Sequence, residues 1–156
     1  MKKLLPLLLV LCLLMAGCSP EPAAPSYSFG DLTIQIPEDY INLSDEEFAS
    51  GLAFVFGLDP IAVNGMREEK ATFEAYGLSL DLEKYGRFLQ MTNEVTAEIQ
   101  KKDGVLHFTY ESGEFTYVVS LWETEEAFWT VQAYCPTADY SNAKSDIWNI
   151  LKSVTV

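Results

Sequence analysis

The sequence predicts an α+β domain in which a mostly antiparallel sheet carries helices on both faces. Three observations lead there. Asp103-Gly104 and Ser112-Gly113 mark tight turns between strand-like runs, so Val95 to Trp122 reads as an antiparallel meander. The segments Leu82 to Leu89 and Tyr140 to Leu151 carry apolar residues at helical spacing, so each presents one face that must dock. The meander is apolar along one whole face and along part of the other, so both faces need a cover.

From the N-terminus, Lys2 and Lys3 precede an apolar run from Leu4 to Met15, and Ala16-Gly17 supplies the small residues that a signal peptidase requires. The run is about a dozen residues against the roughly 20 needed to span a bilayer, so it reads as a signal. Leu14-Met15-Ala16-Gly17-Cys18 resembles the lipobox of bacterial lipoproteins, with Met15 where the usual leucine stands. That resemblance implies a diacyl lipid on Cys18, held by a thioether with palmitate among its acyl chains, and cleavage just before that residue. The alternative is ordinary secretory cleavage nearby, with Cys18 left as a free thiol.

Residues 1–17 are thus expected to be a lipoprotein signal peptide and residues 18–28 a tether. Pro20, Pro22 and Pro25 make that stretch extended and semi-rigid. A single domain is expected over 29–156, long enough for one core. Loss of Lys2 and Lys3 takes the formal charge from -13 to -15. Such acidity argues against nucleic acid and against an electrostatic grip on anionic headgroups, so the membrane link must be the lipid at Cys18. Cys12 leaves with the signal and Cys18 carries lipid, so Cys135 has no partner for a disulfide.

Within the domain, Leu32, Ile34 and Ile36 alternate with polar residues and form the first strand. Ser44-Asp45-Glu46-Glu47 has the form of a capping box and predicts a short helical turn to Ser50. Leu52 to Leu58 is apolar enough for a strand buried on both faces. Met66 to Tyr76 is composed of good helix formers and stops at Gly77, so helix is expected there. Asp81 caps a second helix whose face is Leu82, Tyr85, Phe88 and Leu89.

In the meander, two-residue turns put Ile99 opposite Phe108, Phe108 opposite Tyr117 and Tyr110 opposite Phe115. One face then gathers Val95, Ala97, Ile99, Leu106, Phe108, Tyr110, Phe115, Tyr117 and Val119 as core. The other begins polar, with Glu98, Gln100, His107, Thr109 and Thr116. It turns apolar where Trp129, Val131 and Ala133 of the next strand, Ala127 to Cys135, come beside Trp122 and Val118. The helix over 139–152 covers that half, and Ser153 to Val156 is expected as a final edge strand.

This order is similar to that of PsbP/Mog-like domains, including those of bacterial lipoproteins. The matching residues are Leu32-Thr33-Ile34-Gln35-Ile36-Pro37-Glu38-Asp39-Tyr40, Asp81-Leu82-Glu83-Lys84-Tyr85, Ala127 to Pro136 followed by Tyr140, then Trp148 and Lys152 to Val156. The resemblance implies an α/β/α sandwich. Its better-known members, an extrinsic photosystem subunit and a binder of a nuclear-transport GTPase, act by docking on other proteins. None of the matched residues is a catalytic or binding motif, so no functional residue is carried over.

Chemistry is absent from the motifs. There is no G-x-S-x-G, P-loop, dinucleotide fingerprint, H-E-x-x-H or EF-hand loop. His107 and Cys135 are kept apart by the register, so catalytic residues, cofactor and metal are all expected to be none. Glu123, Glu125 and Glu126 read as a solvated turn. Tyr40, Tyr76, Trp122 and Trp148 have the weakest claims to burial among the aromatic residues. The leading functional expectation is a non-enzymatic accessory module on the extracytoplasmic face of the cell membrane that docks on an envelope protein. The alternative is a small-ligand or glycan binder at the polar half of the sheet, around Glu98, Gln100, His107 and Thr109. Replacement of the acylated thiol, Cys18→Ser, is expected to abolish metabolic lipid labelling and to move the protein into the soluble fraction. Membrane retention without label would refute the anchor.

Overall fold

The computed structural model describes residues 24–156, apart from the Phe48 side chain. The expected signal peptide, the expected lipidation site Cys18 and the first part of the expected tether lie outside the described residues. Among the described residues nine strands and three α-helices follow one another as β1 (Ser26–Phe29), β2 (Leu32–Gln35), β3 (Ile41–Asn42), β4 (Phe54–Leu58), β5 (Ile61–Glu69), α1 (Lys70–Ala75), α2 (Leu82–Thr92), β6 (Gln100–Lys102), β7 (Val105–Ser112), β8 (Phe115–Glu123), β9 (Ala127–Pro136) and α3 (Tyr140–Lys152). Seven strands form one antiparallel sheet in the order β3-β4-β5-β9-β8-β7-β6, and β1-β2 is a separate hairpin. The two edge strands are two and three residues long, which leaves little unpaired backbone to template aggregation.

Each face carries its own core. On one face, Phe54, Phe56, Val63, Val131, Trp129 and Trp122 pack beneath α3 and beneath Leu32 and Ile34 of the hairpin. On the other, Leu106, Phe108, Val119, Leu121 and Phe128 pack beneath Phe73 of α1 and Leu82 and Tyr85 of α2. The α+β fold and its sandwich architecture are therefore as expected, with the hairpin sharing one outer layer with α3. Among the described residues no helix is long and apolar enough to cross a membrane.

Several local expectations hold for the reasons given. Asp81 caps α2, its carboxylate accepting from Lys84 N at 2.8 Å. Gly77, at φ 76°, closes α1 with bonds from Gly77 N to Glu74 O and from Leu78 N to Phe73 O, the Schellman pattern. Asp103 and Gly104 both take positive φ, as a tight hairpin turn demands, and Gln100 faces His107 in the predicted register.

Other expectations are corrected. Strand β1 starts at Ser26, three residues before the expected start of the domain, and its Tyr27 and Phe29 lie against Phe56 and Phe54 with ring centroids 4.8 and 4.5 Å apart. The last residues of the expected tether thus belong to β1. Ser44 does not cap a helix: its Oγ accepts from Val55 N at 2.9 Å and ties the chain to β4. Only a 3-10 turn, Glu47–Ala49, follows. Met66 to Glu69 is strand, not helix, since β5 pairs with β9 all the way to Glu69↔Ala127. Helix propensity of a few tenths of a kcal/mol per residue gives way there to a central position in the ladder.

The β7-β8 turn falls one residue later than expected, so Phe108 faces Val119 and Tyr110 faces Tyr117. The slip moves every partner by two residues and therefore leaves each side chain on its expected face. Val95 to Ile99 leaves the ladder, although Val95, Ala97 and Ile99 still pack on the core. Phe115, 39% exposed, and the half-buried Tyr117 are not deep core. Tyr110, Tyr117 and Tyr134 instead stack on one another at 4.9 and 5.1 Å. Ser153 to Val156 adds no strand to the main sheet and makes one bridge, Thr155 to Thr33.

Gly65 is fixed by contact. A Cβ there would overlap the ring of Phe54, which lies flat over the β5 backbone. Gly65→Ala is therefore expected to cost about 1–3 kcal/mol through displacement of that ring, read as a lower urea midpoint with an unchanged m-value. A change below about 0.5 kcal/mol, the level of an unconstrained surface site, would show that Phe54 does not sit there.

Candidate functional site

The β6-β7 hairpin carries Gln100, Lys102, Val105, His107 and Thr109 toward the same side as α3. Neighbouring β8 contributes Trp122 and Ser120 to that side. Helix α3 returns over it with Trp148 and, one turn later, Leu151 and Lys152. Between them lies a cleft of about 550 Å³, bordered also by Asp103 and Val154. Its volume is within the range of small-molecule sites.

All four expected binding residues meet here. Glu98, Gln100, His107 and Thr109 border an adjoining hollow of about 210 Å³ together with Phe108 and Trp148. Gln100, His107 and Trp148 are shared with the larger cleft. Sequence reasoning missed that Trp122, Trp148, Lys102 and Lys152 complete the site. Trp148 and Lys152, four apart on one helix, carried a signal of a shared face.

His107 is the central polar group. Its Nδ1 lies 2.7 Å from Ser120 Oγ, and its ring meets the Trp148 ring edge-on at 5.3 Å. Partial burial and, secondly, the charge of Lys102 push its pKa below the usual histidine value, so the imidazole is neutral at pH 7. With Nδ1 held by Ser120, Nε2 is the ring nitrogen left for a ligand. Ser120 and His107 have the makings of a nucleophile and base, but Ser120 is fully buried beneath the histidine and no electrophile can reach its oxygen.

Cys135 is a buried free thiol whose pKa is raised by burial and then by Asp139. It lies four residues along β9 from Val131, the partner of Ser120, or roughly 13 Å from the His107 row. Among the described residues no three or more His, Cys, Asp or Glu side chains are grouped to hold a metal. The Glu123–Glu126 turn is taken up by ion pairing, with Glu123 accepting from Lys70 Nζ at 2.7 Å and from Leu82 N at 3.2 Å. Of the four aromatic residues singled out above, Tyr40 and Trp122 are buried, Trp148 is partly so, and Tyr76 is 81% exposed.

The neutral histidine carries a pH signature. Its pKa is lower folded than unfolded, so between those two values the unfolded chain binds more protons. The contribution is complete above about pH 6.5 and is lost as pH falls toward the folded pKa. An NMR titration of His107 should give a midpoint below 6.5. The loss of stability between pH 7.5 and pH 5 should be smaller in His107→Gln than in the wild type. A midpoint at or above 6.5 would contradict the buried, Lys102-facing environment.

No protein-family model matches the chain, and no curated protein sequence does. Among solved structures, that of cyanobacterial PsbP (CyanoP) from Synechocystis sp. PCC 6803, determined in solution, is similar over 90% of this chain and 96% of that one, with a TM-score of 0.60 and 15% sequence identity. At that identity the likeness is one of fold, and the domain has the PsbP-like fold.

Proposed function

We propose that the chain is a lipid-anchored accessory domain on the extracytoplasmic face of the membrane, working by binding and without chemistry of its own, and that it docks on an envelope protein. The observation that carries this reading is the separation of its two ends. Strand β1 starts eight residues after Cys18, a reach of roughly 25 Å for a Pro-rich chain. Strand β1 packs over Phe54 and Phe56 of β4, near one edge of the sheet. The cleft lies at β7, four strand spacings or roughly 19 Å across. An anchor at Cys18 therefore leaves the cleft edge clear.

The fold likeness to PsbP supports an accessory role by analogy only, since one fold hosts many functions. Small-ligand binding is the second reading, favoured by the convergence of Gln100, His107 and Trp148 on a cleft of ligand size.

A photocrosslinking amino acid at Gln100, on the cleft rim, separates docking from a bare anchor when compared with one at Asp45, which is exposed in the β3-β4 connection. In cells, one discrete adduct is expected from position 100, little from position 45, and none from position 100 in the Cys18→Ser background. Equal adducts from both positions, or none from either, would overturn docking through this edge.

A further inference from the structure

We propose that the cleft between α3 and the β6-β7 edge binds a small organic anion with a flat apolar body, its charged head at Lys102 and Lys152 and its body between Trp148, Trp122 and His107. The inference deepens the ligand-binding reading and rests on it.

Charge is the first argument. In a chain of formal charge -13, or -15 without Lys2 and Lys3, the general surface repels anions. Arg67, Lys70, Lys84 and Lys101 each have a carboxylate oxygen within 4.0 Å. Among the described residues Arg87, Lys102, Lys144 and Lys152 have none, and of these four Lys102 and Lys152 border this cleft together. Lys152 also suits the C-terminal turn of α3, where a cation complements the helix dipole. Lys102 stands in an edge strand, where a lysine also discourages pairing with another chain. Asp103 is the one acid on the rim of this cleft, at the apex of the β6-β7 turn.

The lining supplies the second argument. Val105, Trp122, Leu151 and Val154 are apolar, and Trp122 and Leu151 are almost wholly buried below the opening. A polyhydroxylated sugar would leave most of its hydroxyls unpaired over such a floor, whereas a planar hydrocarbon or aromatic body would displace water from it. Uncharged polar contacts come from His107 and Gln100. A head of carboxylate, sulfonate or phosphate type answers the lysines, and an apolar body answers the floor.

The test uses two fluorescent probes of the same shape class on the folded domain: 8-anilinonaphthalene-1-sulfonate, which is anionic, and N-phenyl-1-naphthylamine, which is neutral. The sulfonate should bind at one saturable site, quench tryptophan emission and shift the NMR signals of His107 and Trp148. Lys102→Ala combined with Lys152→Ala should weaken the sulfonate about five- to tenfold, as expected for two exposed charge contacts, and leave the neutral probe unchanged. Trp148→Ala should weaken both probes. If the double lysine variant binds the sulfonate as tightly as the wild type while Trp148→Ala still weakens it, the anion assignment is wrong and ligand binding in the cleft survives. If neither probe saturates, or neither shifts His107 and Trp148, both ideas fall. Both lysines are exposed, so their replacement should lower the urea midpoint only slightly, through the helix-dipole contact of Lys152.

Discussion

Strand β9 has to be covered on both faces, and the rest of the domain follows from that. It lies between β5 and β8 in the centre of the sheet, and its residues alternate between two cores, with Phe128 on one side and Trp129 on the other. Neither face is left to water over Ala127 to Val131, where every side chain is buried. Full burial of a large apolar side chain stabilises by roughly 1.5–3 kcal/mol, so leaving either face open would forfeit several such contributions. The two outer layers are therefore a requirement of this one strand.

The polar groups among these layers are arranged to make that burial specific. Trp129 donates from Nε1 to Asp31 Oδ1 at 2.6 Å, which locks the β1-β2 turn onto the central strand. Partial burial alone would raise the Asp31 pKa, but the hydrogen bonds from Trp129 and Thr124 and the charge of Arg67 outweigh it and hold it below the usual aspartate value. On the opposite face the Tyr85 hydroxyl donates to Glu68 Oε2 at 2.5 Å and lies 2.9 Å from Thr130 Oγ1. Burial first, then the bond to Glu68, drives its pKa up, so it stays protonated as a donor. Each layer is thus pinned to the sheet by at least one buried tyrosine or tryptophan, and among the described residues no buried side-chain polar atom lacks a partner.

The same layering makes the cleft. Helix α3 covers the sheet over Val118, Trp122 and Trp129 but leaves the β6-β7 edge uncovered, and the missing packing becomes the hollow above His107. Because β6 pairs over three residues only, the edge there is built of side chains more than of ladder. The β1-β2 hairpin crosses from Phe56 of β4 to Trp129 of β9, and its bridge to Thr155 fixes the chain beside Val154 of the cleft.

By itself the sequence determined what local chemistry can settle: the Asp103-Gly104 turn, the Asp81 cap, the Gly77 stop, and the face on which each residue of the meander lies. Face assignment survived a slip of two residues at β7-β8 because side-chain alternation has period two, whereas the partner of each residue depended on where the turn closed. Met66 to Glu69 was illegible, since its residues favour helix and only pairing with β9 makes them strand. The polar quartet Glu98, Gln100, His107 and Thr109 was legible as one sheet face. That Trp148 and Lys152 of a distant helix stand over it, and that Lys102 has no carboxylate within reach, was decided by tertiary structure alone. A cleft is a gap between elements far apart in the chain, and no local rule of spacing or propensity records where packing stops.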